Sequence, residues 1–398
     1  MHHPQIALQK TLCLFLVMLT HASLPFTSHN PFWMVYADTQ ACGAGFLVKF
    51  FIFFLAPAVI FASGFLLEKT IQETPCVGEV IAKRITRLIW PWLLATLFWL
   101  VPLYTLFDIP AYNRPEGTSF WTTVLAGLQG RFVEHLWFLL VLFWASLFWI
   151  IVRPLPRYIE KSTILAKTPN FAMPLWFKEA CAKADQWRPS WIKNEWFALK
   201  WEKASFTMTE ILGLSVAFIV ALTIQIAGKD LTWFCFQQSA GPILFLYCGV
   251  LAYRHREWLD TFLVNNYKKT LPTLVLIFLA LQPAGNMHFL LTWTLGLLGA
   301  LLMYQLCLLL ILADFPKKRF ATSYTYLEKN IFRVYLFHMP VSLLLSRKMI
   351  ELGVFPPWLN IIFTFILTTI LTIGLVYCSH HFEKTQLPKI FNGMRPKD

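Results

Sequence analysis

Charge is what this 398-residue chain has least of: Asp, Glu, Lys and Arg together make up 14% of it, against about 25% in an ordinary soluble protein. Too few polar side chains are available to cover a body of this size with a water-facing surface, which excludes a soluble globular domain. Acids are the scarcer sign, 21 against 34 Lys and Arg. Phosphate-cradling glycine motifs are missing. There is no Walker A run and no GxGxxG, so ATP-driven transport and dinucleotide chemistry have no support. No G-x-S-x-G elbow occurs, and Ser63-Gly64 lies in an apolar run where a strand-to-helix turn is not expected. The eight cysteines form no CxxC pair, and there is no H-x-x-x-H pair or carboxylate cluster, so no metal site is expected. Cys42 and Cys235 fall on the same, outer side of the topology derived below, where a disulfide is one option that their spacing does not support.

What fills the chain instead is apolar. Hydrophobic residues reach 57%, which excludes disorder, and the 37 Phe and 17 Trp suit lipid contact and interfacial belts. A spanning helix needs about 20 apolar residues. Ten candidates appear, at roughly 7–26, 46–67, 88–107, 135–152, 210–227, 241–253, 271–283, 289–313, 331–346 and 358–378, the sixth and seventh short enough that a re-entrant segment or tilted pair could replace them. The expected fold is an all-α polytopic bundle of about ten transmembrane helices forming one domain over residues 1–398.

Charge orients it. With the N-terminus inside, 27 of the 34 Lys and Arg fall in inside segments and six outside, Arg333 lying within a span. This asymmetry places both termini in the cytoplasm and explains the net charge of +13 as a topology signal. A nucleic-acid partner loses its support, and the lipid bilayer gains it. One soluble stretch stands out, a Trp/Lys-rich cytoplasmic insertion at about 153–208 with Trp176, Trp187, Trp191, Trp196 and Trp201, which reads as an interfacial anchoring loop. The start of the chain, with Lys10, the run Leu12–Leu19 and Ala22-Ser23, has features of a signal peptide. Retention is expected, because the next span turns inward by charge and needs a partner.

Ionisable groups inside a membrane are costly and mark function by default. His21 lies eleven residues after Lys10, about 16 Å further along a helix, in the outer half of the first span. His135 opens the fourth span at its outer end. Arg333 and His338 share the ninth. One such histidine alone would read as a group hydrogen-bonded to a neighbouring helix, whereas three near one half of the bilayer point to a buried polar site suited to proton transfer. The loop Lys83-Arg84-Ile85-Thr86-Arg87 is a positive-inside anchor at the least. Arg84 and Arg87, three apart, would also share a helix face able to clamp a phosphate.

Several segments fall into a familiar order: "LQKTLCLFLVMLTHAS", "VIFASGFLLEK", "AKRITRLIWPW", "EHLWFLLVLF", "LFLYCGVLAYRHREWL", "IFRVYLFHMPVSLLL" and "HHFEKTQLP". The sequence resembles the acyltransferase type 3 family of integral membrane acyltransferases over nearly its whole length, and most resembles the stand-alone branch that includes glucan succinyltransferases and O-acetyltransferases. The resemblance implies transfer of an acyl group, commonly acetyl or succinyl, from acyl-CoA as co-substrate to a hydroxyl of an extracytoplasmic glycan or glycolipid, with no bound cofactor and in a bacterial inner membrane. It implies His21 as the catalytic histidine, acting as general base or acyl relay, and Lys10, Arg84 and Arg87 on the donor side. His135, Trp137, Arg333, Tyr335 and His338 would line the acceptor chamber. One departure stands out. The family often carries "DxxR" in its opening helix, and here those positions are Ala7 and Lys10. The alternatives are a transporter or flippase of a lipid-linked or anionic solute, whose path His and Arg would line, and a degenerate member without activity.

Overall fold

The computed structural model describes residues 3–27, 35, 37–74, 76–107, 119–130, 134–153, 208–228, 235–284, 288–315, 321–353 and 355–384. The insertion expected at 153–208, apart from its two ends, and the C-terminal tail lie outside these residues. Among the described residues there is no strand, and helices occupy all ten expected positions. The chain forms α1 (Pro4–Ser23), α2 (Ala44–Ile52), α3 (Leu55–Glu73), α4 (Val77–Arg84), α5 (Trp90–Ala95), α6 (Val101–Leu106), α7 (Phe120–Leu128) and α8 (Trp137–Val152). It continues with α9 (Met208–Ala227), α10 (Ala240–Arg254), α11 (Arg256–Asn265), α12 (Tyr267–Leu281), α13 (Phe289–Leu312), α14 (Ala321–Leu352) and α15 (Pro357–Lys384).

Among the described residues six segments are long and apolar enough to cross a membrane: Pro4–Phe26, Ala44–Glu73, Val77–Leu106, Glu210–Ala227, Phe289–Leu312 and Pro357–His380. Trp137–Val152 is apolar but shorter, so the structure supports six candidate spans where ten were expected. Other bounds also differ from the hydropathy reading. The third helical segment begins at Val77 rather than 88, because its first turns carry Glu79, Lys83 and Arg84 and read as loop. α14 runs 32 residues rather than 16, since its first two turns are polar. Cys42 and Cys235 are both free thiols.

Prolines shape the helices that position the site. Pro4 and Pro357 occupy first-turn positions, where a missing N–H costs nothing. Pro91 and Pro102 instead interrupt a continuous run, and a wide π turn precedes each, over Ile85–Ile89 and Thr96–Leu100. Proline removes one rung of the hydrogen-bond ladder and its ring displaces the turn before it.

Two glycines set the closest helix contact. A Cβ on Gly64 of α3 would stand 1.9 Å from the Leu246 carbonyl oxygen of α10, and one on Gly249 of α10 would stand 1.9 Å from that of Phe61 on α3. The two backbones touch because neither residue has a side chain, the usual device where apolar burial does not drive helices together. Around this pair, α1 packs against α2, α3, α13, α14 and α15, and Cys13, Met18 and Ala22 of α1 are fully enclosed.

An ionic network closes one end of the bundle. Glu68 of α3, 1% exposed, accepts from Arg254 Nε at 2.9 Å and from Arg153 Nη2 at 3.3 Å. Arg254 also faces Glu210 of α9 at 3.7 Å and lies 5.6 Å over the Trp149 ring. His255 Nε2 meets Glu210 Oε2 at 3.1 Å, and the Tyr247 hydroxyl donates to the Glu210 carbonyl at 2.7 Å. Four elements, α3, α8, α9 and α10, are pinned there by charges that nearly balance.

Candidate functional site

Three histidines far apart in sequence meet between α1, α14 and the start of α8. His21 and His338 stack with ring centroids 5.2 Å apart and planes 4° from parallel, and Nε2 of His338 lies 3.2 Å from Nδ1 of His21. His135 approaches His338 edge-on at 5.0 Å. The hydrogen bonds fix the tautomers. Nδ1 of His338 is 2.6 Å from the Tyr335 carbonyl oxygen, which can only accept, so Nδ1 carries the proton. In a neutral imidazole Nε2 is then an acceptor, so His21 donates to it from Nδ1–H. The lone pair of neutral His21 is therefore on Nε2. One chain of hydrogen bonds thus runs from a backbone carbonyl through two imidazoles and sets which nitrogen of His21 is basic.

His135 follows the same logic from the other wall. Its Nε2 lies 3.2 Å from the Leu336 carbonyl and must donate, which leaves Nδ1 as a buried acceptor with no partner. The Tyr335 hydroxyl donates to the His135 carbonyl, and the two rings meet at 5.3 Å. Tyr335 is thus the clamp between α14 and the short 3₁₀ turn Glu134–Leu136. Trp137 stands one side chain away, packed at 6.1 Å on Phe138, whose ring meets Tyr335 at 5.9 Å.

Arg333 does not join the histidines. Five residues before His338 on α14, its Nη1 donates to His380 Nδ1 on α15 at 2.7 Å. This bond staples the last two helices.

The basic residues of the donor side do come together. Lys10 on α1 is acted on by Arg87, and Arg87 acts in turn on Arg84. The π turn over Ile85–Ile89 contains Arg87 but not Arg84, so the two are not on regular i,i+3 positions; Arg87 is exposed and Arg84 half-buried. Glu328 of α14 is the opposite charge that acts on Lys10. A carboxylate is therefore present beside Lys10 although position 7 is alanine. The charge tally of the loops overlooked it, since it counted only basic residues. Its signal was there: Glu328 is the sole acid between Lys317 and Lys329.

Residues 4–377 match the sequence model of an acyltransferase domain, that of the acyltransferase type 3 proteins. No curated protein and no solved structure matches the chain.

Proposed function

From its membership of the acyltransferase type 3 family, which makes the chain an integral membrane protein of acyltransferase type, we propose that it moves an acyl group, acetyl or succinyl, from cytoplasmic acyl-CoA to a hydroxyl of an extracytoplasmic glycan or glycolipid. The observation that carries this reading is the relay Tyr335 carbonyl–His338–His21. The charge asymmetry of the loops supports ten spans with both termini inside, a bacterial inner membrane as the setting, and a donor arriving at the face that holds Lys10, Arg84 and Arg87.

In this mechanism the phosphates of acyl-CoA sit on that basic cluster. Its extended arm carries the thioester the roughly 16 Å along α1 to His21. The acceptor hydroxyl approaches Nε2 of His21, which takes its proton while the oxygen bonds to the thioester carbonyl. The tetrahedral intermediate collapses with cleavage of the C–S bond, and the protonated His21 returns the proton to the thiolate, releasing CoA and the ester. While His21 is cationic, its Nδ1–H remains bonded to His338, whose own N–H leans on the Tyr335 carbonyl dipole. That chain holds the ring orientation and stabilises the charge. His135 Nδ1 receives a second hydroxyl of the acceptor. In an acyl-relay variant of the scheme, Nε2 attacks the thioester first.

The test is CoA release from membranes holding the wild type or His21→Ala, with acetyl-CoA and succinyl-CoA supplied separately and cell-envelope glycan added. Release by the wild type alone supports the reading and names the donor. Equal background release from both, with the protein present and folded, overturns it.

A further inference from the structure

The last two helices share a polar seam that the chemistry above leaves unused. α14, ending at Leu352, and α15, starting at Pro357, pack as an antiparallel pair. Their register follows from the Arg333–His380 bond and agrees with two shared apolar clusters, one holding Val334 and Val376 beside Leu14 and Met18, the other Ile361 with Ile350 packed against it. On this register Ser346 stands level with Thr364, Ser342 with Thr368, and His338 with Thr372. Each series repeats every four residues, so each keeps to one face, with polar groups about 6 Å apart along the helix. Asn360 lies one further step towards the turn.

These side chains are enclosed. Ser342, Ser346, Thr364, Thr368 and Thr372 are each 0% exposed, and Asn360 is 4% exposed. Helical serines and threonines commonly bond back to the carbonyl four residues earlier, and here Thr11, Thr20 and Ser23 of α1 and Thr369 of α15 do so. The five seam hydroxyls and Oδ1 of Asn360 have no partner. Thr368 and Thr369 are neighbours on one helix, yet only the half-buried Thr369 bonds its own backbone. Small residues alone would account for two helices lying close. They do not account for a row of hydroxyls turned off the backbone, at a cost, in the driest part of the protein.

We propose that this seam is a binding track for a polyol, a chain of sugar hydroxyls that both donates and accepts along the row, running from the turn end of the α14–α15 pair down to His338 and His21. α15 packs chiefly on α14 and α1, so a tilt of this helix that releases its Arg333–His380 and Trp358–Cys42 bonds opens the row. That the polyol is the acyl acceptor rests on the acyl-transfer reading. That the seam binds a polyol does not.

The experiment uses the full-length protein in membranes and two readouts. First, Ser346→Cys, Thr368→Cys and the lipid-facing control Ile370→Cys, which replaces a side chain 59% exposed, react with a cationic methanethiosulfonate, and rates are taken above wild type. The track predicts that the two seam thiols react about tenfold or more faster than the control, because only a wetted thiol ionises, and that octyl glucoside slows them about tenfold. Slowing by glucose as well identifies a free polyol; slowing by octyl glucoside alone identifies a lipid-anchored one. Seam thiols no faster than the control, or unprotected by either sugar, overturn the proposal.

Second, the double variant Ser342→Ala with Thr368→Val raises the KM for octyl glucoside about tenfold or more and leaves the KM for acyl-CoA unchanged, as loss of two hydrogen bonds to the sugar requires. An unchanged sugar KM overturns it. Protection of the seam thiols in a protein whose wild type releases no CoA keeps the track and removes the acyl-transfer reading, since a solute path would then remain.

Discussion

His338 and His21, 317 residues apart, share a single proton across 3.2 Å, and the direction of that bond is set by the Tyr335 carbonyl behind them. It follows that His338 has a role its sequence position does not show: it decides which nitrogen of His21 is basic. His338→Ala is expected to lower kcat by about 10² or more with little change in the KM for acyl-CoA, in keeping with loss of an oriented general base. His338→Asn, whose amide can still accept from His21, should recover part of that loss. CoA release at saturating donor measures both.

The basic cluster should behave differently. Arg87→Ala is expected to raise the KM for acyl-CoA about tenfold at nearly constant kcat, the pattern of lost uniform binding. The defect should shrink as ionic strength rises, since Arg87 is exposed and salt screens its contribution in the wild type. Arg84→Lys should also be impaired, because a point charge does not replace a planar fork. Equal losses in kcat and kcat/KM would instead place these residues at the reacting atoms.

Gly64→Ala and Gly249→Ala test the helix contact. Each added methyl would lie 1.9 Å from a backbone oxygen of the facing helix, so α3 and α10 must part. A loss of about 1–3 kcal/mol is expected for each, read as a lower unfolding midpoint in detergent. Gly45→Ala and Gly374→Ala, with nothing within 4 Å of the new atom, should be neutral or stabilising, since both sit in helices.

Glu68→Gln removes the centre of the ionic network and leaves two guanidinium groups facing each other in an enclosed site. Breaking a buried pair in this way costs about 3–5 kcal/mol, again measured by unfolding in detergent. The companion Glu73→Gln removes a carboxylate that is exposed and paired only with Lys69 at 3.8 Å, and should change the midpoint little.

Helix positions were legible in the sequence because apolar runs of spanning length carry their own signal, and His21, His135 and His338 were legible because a titratable group in such a run is rare. Tyr335 stands out in the sequence by its place in the motif around His338, whereas its bond to the His135 carbonyl shows only in the packing. The bond from Arg333 to His380 was not legible in the sequence, because its partner comes from another helix and only packing brings the two together. Glu68 lies inside the quoted "VIFASGFLLEK" and went unremarked, because nothing local reveals that Arg153 and Arg254 converge on it. The seam of Ser342, Ser346, Thr364, Thr368 and Thr372 escaped for a related reason. Hydroxyls in apolar helices ordinarily bond their own backbone, and whether they do is a matter of rotamer, which residue type does not specify.

The ionic network has one more consequence. Arg153 and Glu210 stand on either side of residues 154–207 in the chain, and both are tied into the same knot of charges through Glu68 and Arg254. The two ends of residues 154–207 are therefore held by the bundle itself, whatever joins them. Cut there, the protein becomes two pieces with matching charged ends and a shared apolar face, able to find each other in a membrane as two subunits would. Pieces 1–180 and 181–398, made together, are expected to copurify and to do so less well when Glu68 is replaced by Gln. The two halves would then find each other through the docking surface they already share.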